Sequence, residues 1–159
     1  MVAGSVTGEF ASPIATARIW KAGVREAHLL LPKLLPQVIT SIEILEGDGG
    51  AGTIKKLTLA EGGYVKDRVE VMDDEKYLFK YSAIEGGSLL GAKVSSLQFE
   101  LTIEASPGGG SISKLKVDYD AIDGATGVEE EVAKVKEGVT GMVKAVEAYL
   151  LAHPEAYLV

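Results

Sequence analysis

Gly47-Asp48-Gly49-Gly50-Ala51-Gly52 matches the spacing G-x-G-x-x-G, the glycine pattern that seats a dinucleotide. That chemistry needs a strand leading in and a helix leading out, so that the pyrophosphate meets the helix's positive end. Here the residues that follow, Thr53 to Leu59, read as another strand, and Thr53 stands where a phosphate-binding lysine would be. The spacing predicts a hairpin loop on Gly47, Gly49, Gly50 and Gly52, with at most weak anion contact through its amides. Metal chemistry has less to work with. There is no cysteine, and the two histidines, His28 and His153, lie far apart, so no metal cluster or cofactor is expected. His28 reads as a solvated or capping residue of a short helix, His153 as the cation at a helix end, and Trp20 as packing.

Charge narrows the partners. The net charge is −7, and the densest cationic pairs, Lys55-Lys56 and Lys114/Lys116, sit among acids. Nucleic-acid binding draws on a basic patch that neutralises phosphates, so no specific nucleic-acid partner is expected. Residues Met1 to Phe10 lack the basic start and apolar run of a signal peptide. No segment approaches the ~20 apolar residues of a membrane span. With no cysteine to oxidise, a cytoplasmic location and no membrane partner are the expectations. The 159 residues, 47% hydrophobic and 25% charged, suit one globular domain spanning 1–159, a monomer or at most a weak dimer.

The elements that must position any site follow from periodicity. Gly4 to Phe10 reads as a strand. Ser12-Pro13 offers an N-cap and a first-turn proline for a helix to Ala22, stopped by Gly23, and a second short helix runs from Val24 to Leu31 before Pro32. The period then becomes two: Val38–Leu45, Thr53–Leu59, Tyr64–Met72, Tyr77–Ile84, Val94–Glu104 and Ser111–Tyr119. Their short connections predict an antiparallel meander. From Val128 to Leu150 apolar residues recur every three and four positions, a stripe about six turns long. Thr126 and Glu129 fit a capping box, and His153-Pro154 closes the helix. The sum is an α+β fold: a seven-stranded antiparallel sheet, two short helices and a long C-terminal helix, with the helices on one side of the sheet.

Alternation tells which face is covered. Tyr77, Phe79, Tyr81 and Ala83 share a side, as do Leu97, Phe99, Leu101 and Ile103, and Ser113, Leu115, Val117 and Tyr119. One helix about 10 Å across is narrow cover for so wide a sheet. Gly138 and Gly141 in that helix add little volume, so a hollow beneath the sheet is expected. Its predicted walls are Ile39, Tyr64, Phe79, Tyr81, Leu97, Phe99, Leu101, Val139, Met142 and Val143. Tyr81 or Tyr64 supplies the hydrogen bond that orients an apolar guest.

Several motifs carry a family resemblance. Glu46 to Lys56 resembles the glycine-rich loop of the plant pathogenesis-related class 10 proteins, the family of the major birch-pollen allergen. Tyr64-Val65-Lys66-Asp67-Arg68, Tyr81 to Gly87, Pro107 to Ser111 and Ala145 to Tyr157 resemble its other motifs, in order along nearly the whole chain. The resemblance implies a helix-grip fold, a seven-stranded curved antiparallel sheet wrapped around the long C-terminal helix with two short helices, enclosing a large hydrophobic cavity. It also implies a defence- or stress-related carrier of small hydrophobic plant metabolites such as phenolics, hormones, or alkaloid and phenylpropanoid intermediates.

A second reading is an enzyme of specialised metabolism, similar to norcoclaurine synthase, which joins an amine to an aldehyde using an inward lysine and carboxylate. Parity puts Glu100 and Lys114 on the wet face, with Leu101 and Leu115 inward, so no catalytic residue is assigned. Lys55, Glu147 and Tyr149 lie near positions proposed for ribonuclease activity in relatives, but the accompanying acid falls at Ser95. Gly23 stands where a bulky aromatic is usual, Leu29 replaces a polar residue, and the Gly62-Gly63 turn is short. These departures imply a more open, less polar hollow and a different guest.

Overall fold

In a computed structural model, which describes residues 2–158, the chain forms seven strands and three α-helices. Strand β1 (Val2–Ser12) leads into α1 (Thr16–Trp20), a π-helical turn (Lys21–Arg25) and α2 (Ala27–Leu34). Strands β2 (Ile39–Glu46), β3 (Ile54–Leu59), β4 (Tyr64–Asp73), β5 (Leu78–Gly86), β6 (Val94–Ala105) and β7 (Ser111–Ala121) follow, and α3 (Val128–Ala152) ends the fold. The sheet order is β1-β7-β6-β5-β4-β3-β2. Every neighbouring pair is antiparallel. The sheet is open, with β1 and β2 at its edges and α1 and α2 connecting them.

The six meander strands stand within about two residues of their expected limits, because alternation and glycine turns are local signals. The helix starts differ. Ser12 does not cap α1; its Oγ accepts the Ile14 amide at 3.1 Å in a local turn, and the helix opens at Thr16 without a side-chain cap. Gly23 does not stop the first helix but lies inside the π-helical turn, closed by the Glu26 amide on the Lys21 carbonyl at 2.9 Å. Pro32 lies inside α2 rather than beyond it. The Thr126–Glu129 capping box is absent too. Gly127 occupies the N-cap in a left-handed conformation, φ 66°, leaving Glu129, Glu130 and Glu131 to complement the positive end.

The core lies between the concave face of the sheet and the helices. Leu97, Phe99, Leu101 and Ile103 of β6 are all buried, as are Leu115 and Val117 of β7, opposite Val132, Val146 and Leu150 of α3. Burial of that stripe holds α3, whose two glycines weaken it in isolation. The end of α3 is also tied. Arg18 donates from Nε to the Ala156 carbonyl at 2.8 Å, and from Nη2 to Leu150 at 3.0 Å and His153 at 2.6 Å. Leu150 lies in the last turn of α3, His153 is its C-cap and Ala156 follows it; carbonyls at a helix end need outside donors, and a guanidinium fork suits them. Trp20 packs, as expected: it is buried, donates to Asp74 Oδ1 at 2.7 Å and meets Tyr77 edge-on.

Candidate functional site

Between the sheet, α3 and the short helices lies a cavity of about 110 Å³. Strand β5 contributes Phe79 and Tyr81, β6 contributes Leu101 and Ile103, and α3 contributes Val139, Met142, Val143 and Val146. The short helices close one end with Ile19, Gly23, Val24 and Leu31. Gly23 keeps that end open, since a Cβ there would reach Val146 only at ordinary contact distance, 3.6 Å.

Six of the ten predicted wall residues are brought together here: Phe79, Tyr81, Leu101, Val139, Met142 and Val143. Ile39, Leu97 and Phe99 point inward but are consumed by the core. Phe99, the cross-strand neighbour of Tyr81, stacks on it with ring centroids 4.5 Å apart and nearly parallel, so it supports the wall from the side. Ile42 lines the cavity where Ile39 was expected, because a bulge between Ile39 and Ser41 advances the register of β2. Tyr64 faces outward. It is an odd number of positions from inward Asp67 and Val69, and its hydroxyl donates to Glu85 Oε2 at 2.5 Å. Tyr81 is thus the tyrosine that can address a guest; its hydroxyl hydrogen-bonds to no other described residue.

Other expectations need correcting. Gly138 and Gly141 do not hollow the cavity, because both are exposed and a Cβ at either would meet nothing within 4 Å. Leu29 is 56% exposed and outside the cavity. His28, expected to be solvated or to cap its helix, lines the cavity wall with Ala27.

The polar lining was not foreseen. Lys55 and Asp67 are directly opposed across β3 and β4, and both enter the cavity, as does Ser113. Lys55 is the only buried lysine among the described residues, with Nζ 5.6 Å from the Phe79 ring centroid. Burial lowers its pKa, against the opposing pull of Asp67. Burial also raises the Asp67 carboxyl to about 7, only partly offset by Lys55. The Tyr81 phenol is pushed up by burial and then by Asp67. The parity signal was present: Lys55 stands two residues before inward Leu57, and Asp67 two before inward Val69.

The other candidate chemistries are not assembled. Glu100 and Lys114 point outward, pairing with Lys80 and Glu104, each at 3.1 Å. Lys55 alone of the Lys55, Glu147 and Tyr149 set lines the cavity; Tyr149 stacks on His153, centroids 4.3 Å apart. The glycine loop is a hairpin between β2 and β3, as expected. Three of its amides are spent internally: Gly49 donates to Thr53 Oγ1 at 2.9 Å, Gly50 to Asp48 Oδ1 at 3.0 Å and Gly52 to the Val69 carbonyl at 2.8 Å. A carboxylate on the Gly50 amide is unfavourable to a phosphate there.

With the sheet, the gripped helix and the cavity in view, the comparison with known proteins is decisive. The model of the pathogenesis-related protein Bet v 1 family matches residues 1–153. The chain belongs to the Bet v 1 family. Major allergen Pru av 1 of Prunus avium, a curated member, is 44% identical over 152 residues, 94% of each chain. The crystal structure of Ara h 8.0201 superposes with a TM-score of 0.85 at 32% identity, over 96% of this chain and 100% of that one. The Bet v 1 fold extends further, to norcoclaurine synthase from Thalictrum flavum in complex with dopamine and hydroxybenzaldehyde. That structure has a TM-score of 0.78 at 24% identity, covering 96% of this chain and 88% of that one.

Proposed function

We propose that this member of the Bet v 1 family is a non-covalent carrier of small, apolar, partly hydroxylated plant metabolites. It works in the cytoplasm as a monomer in defence or stress, with neither nucleic acid nor membrane as a partner. The observation that carries the reading is the cavity: a mostly apolar wall into which a few polar groups project, among them the Tyr81 hydroxyl, unpartnered among the described residues. An empty hollow of about 110 Å³ costs about 2–3 kcal/mol at ~24 cal/mol per Å³. A guest relieves part of that. The norcoclaurine synthase complex supports the reading, since the same fold holds small aromatic molecules in that protein. The net charge of −7 supports the exclusion of nucleic acid. No helix among the described residues is long and apolar enough to cross a membrane.

The test is thermal unfolding against a panel of phenolics and plant hormones. A binder at 100 times its Kd adds ~2.7 kcal/mol, roughly 5–10 °C for a chain of this size. A flat response across the panel removes the carrier reading. The enzyme reading draws on one observation, the inward Lys55 and Asp67. Incubation with amine and aldehyde pairs, followed by mass spectrometry, separates the two: turnover to a condensed product favours the enzyme.

A further inference from the structure

Lys55 breaks the usual rule for lysines. Its side chain enters an apolar cavity, its nitrogen sits over the Phe79 ring, and no carboxylate of a described residue lies within ion-pair distance. Asp67, its direct cross-strand partner, opens into the same space and makes no hydrogen bond with a described residue. A buried amine without a tight counter-ion favours its neutral, nucleophilic form. A buried carboxyl favours its protonated form, which can donate. The directions of both shifts agree, with Lys55 lowered and Asp67 raised to about 7. One wall of the cavity therefore holds a nucleophile and a proton carrier together.

We propose that Lys55 captures an apolar aldehyde in this cavity as an imine, with Asp67 carrying the protons. The proposal rests on the reading that the cavity takes small apolar guests. The Nζ lone pair adds to the carbonyl carbon, and the carbonyl oxygen takes the proton held by Asp67. The nitrogen, now bearing a positive charge, gives a proton back to the Asp67 carboxylate. Asp67 then protonates the hydroxyl, which leaves as water as the nitrogen lone pair forms the C=N bond. The resulting iminium is faced by the Asp67 carboxylate and returns its proton there. Overall, an amine and an aldehyde give an imine and water, and no oxidant or reductant is consumed. Return of water reverses the sequence and releases the aldehyde intact. Phe79 and Tyr81, stacked with centroids 4.8 Å apart, offer an aromatic wall to the aldehyde's apolar body.

The experiment uses benzaldehyde as probe with sodium cyanoborohydride to fix any imine, read by intact mass and peptide mapping. In parallel, 1-naphthol, which has no carbonyl, tests occupancy of the cavity by thermal shift. A lowered amine pKa raises the neutral fraction at a given pH, and the aromatic wall holds the aldehyde beside Nζ, so Lys55 should label ahead of the exposed lysines. Lys55→Met and Lys55→Arg should lose that adduct while keeping the parent's cooperative thermal transition, and Asp67→Asn should slow labelling about a hundredfold. Labelling spread over surface lysines without preference for Lys55, with naphthol bound, overturns the imine proposal and leaves the carrier reading standing. Selective Lys55 labelling unchanged in Asp67→Asn overturns the proton-carrier role. Absence of both labelling and naphthol binding removes the proposal and the carrier reading together.

Discussion

Asp67 and Lys55 place ionisable groups where a carrier of apolar guests has least use for them. Burial holds the folded-state pKa of Asp67 near 7, above its ordinary value, so the native protein binds more protons than the unfolded chain in between. Stability due to this group is therefore present at low pH and is lost as pH rises from about 4 to about 7. Denaturant melts of Asp67→Asn across that range should show a flatter profile than the parent. Lys55 works in the opposite sense: its lowered pKa disfavours the folded state until alkaline pH removes the charge. Replacing both, as Lys55→Met with Asp67→Leu, is expected to stabilise the protein by about 1–4 kcal/mol in urea unfolding. Tyr81→Phe removes the one tyrosine hydroxyl in the wall and should weaken a hydroxylated guest about tenfold, ~1.4 kcal/mol, by calorimetry. These residues were hard to read from sequence. β3 reads Ile54-Lys55-Lys56-Leu57, with an apolar residue facing out and a lysine facing in, so hydropathy does not reveal the parity that Leu57 sets. The β5 and β6 wall was legible because there every inward position is apolar or aromatic. Even so, alternation gives the face and not the depth, and Leu97 and Phe99 share the face without reaching the cavity.

At the scale of elements, strands were legible to within a residue or two, while helix ends were not. A turn of two glycines is a local event, whereas the π-helical turn at Gly23 and the helical Pro32 run against local propensity, which tertiary context overrides. The glycines of the helical elements do different work. Gly138 and Gly141 face open space on α3, so each change to alanine should raise stability by ~1 kcal/mol, about 2–4 °C, with guest affinity unchanged. Gly23 faces the cavity with a helical-range backbone, so Gly23→Leu has room to extend into the hollow. It should also gain about 1 kcal/mol from helix propensity, yet reduce guest affinity tenfold or more in the same titration. Stability and binding thus part company at this one position. A Gly23→Leu variant that bound guests as the parent does would place the guest elsewhere.

At the scale of the whole molecule, two distant ties close the fold. Arg18 holds three carbonyls at the end of α3, linking the first helix to the last. Arg18→Ala should cost about 1.5–3 kcal/mol. Hydrogen exchange should then quicken first over residues 150–157. The other tie is the pairing of β1 with β7, from Val2 opposite Ala121 to Ser12 opposite Ser111. As the polypeptide leaves the ribosome, β1 emerges before every other strand, yet its only neighbour in the sheet is the one made last. At ~5–20 residues per second, the nascent β1 waits several seconds without its partner. Folding of this chain is consequently a closing of the circle from the far end, and a stalled ribosome that withholds β7 leaves β1 without a place to go.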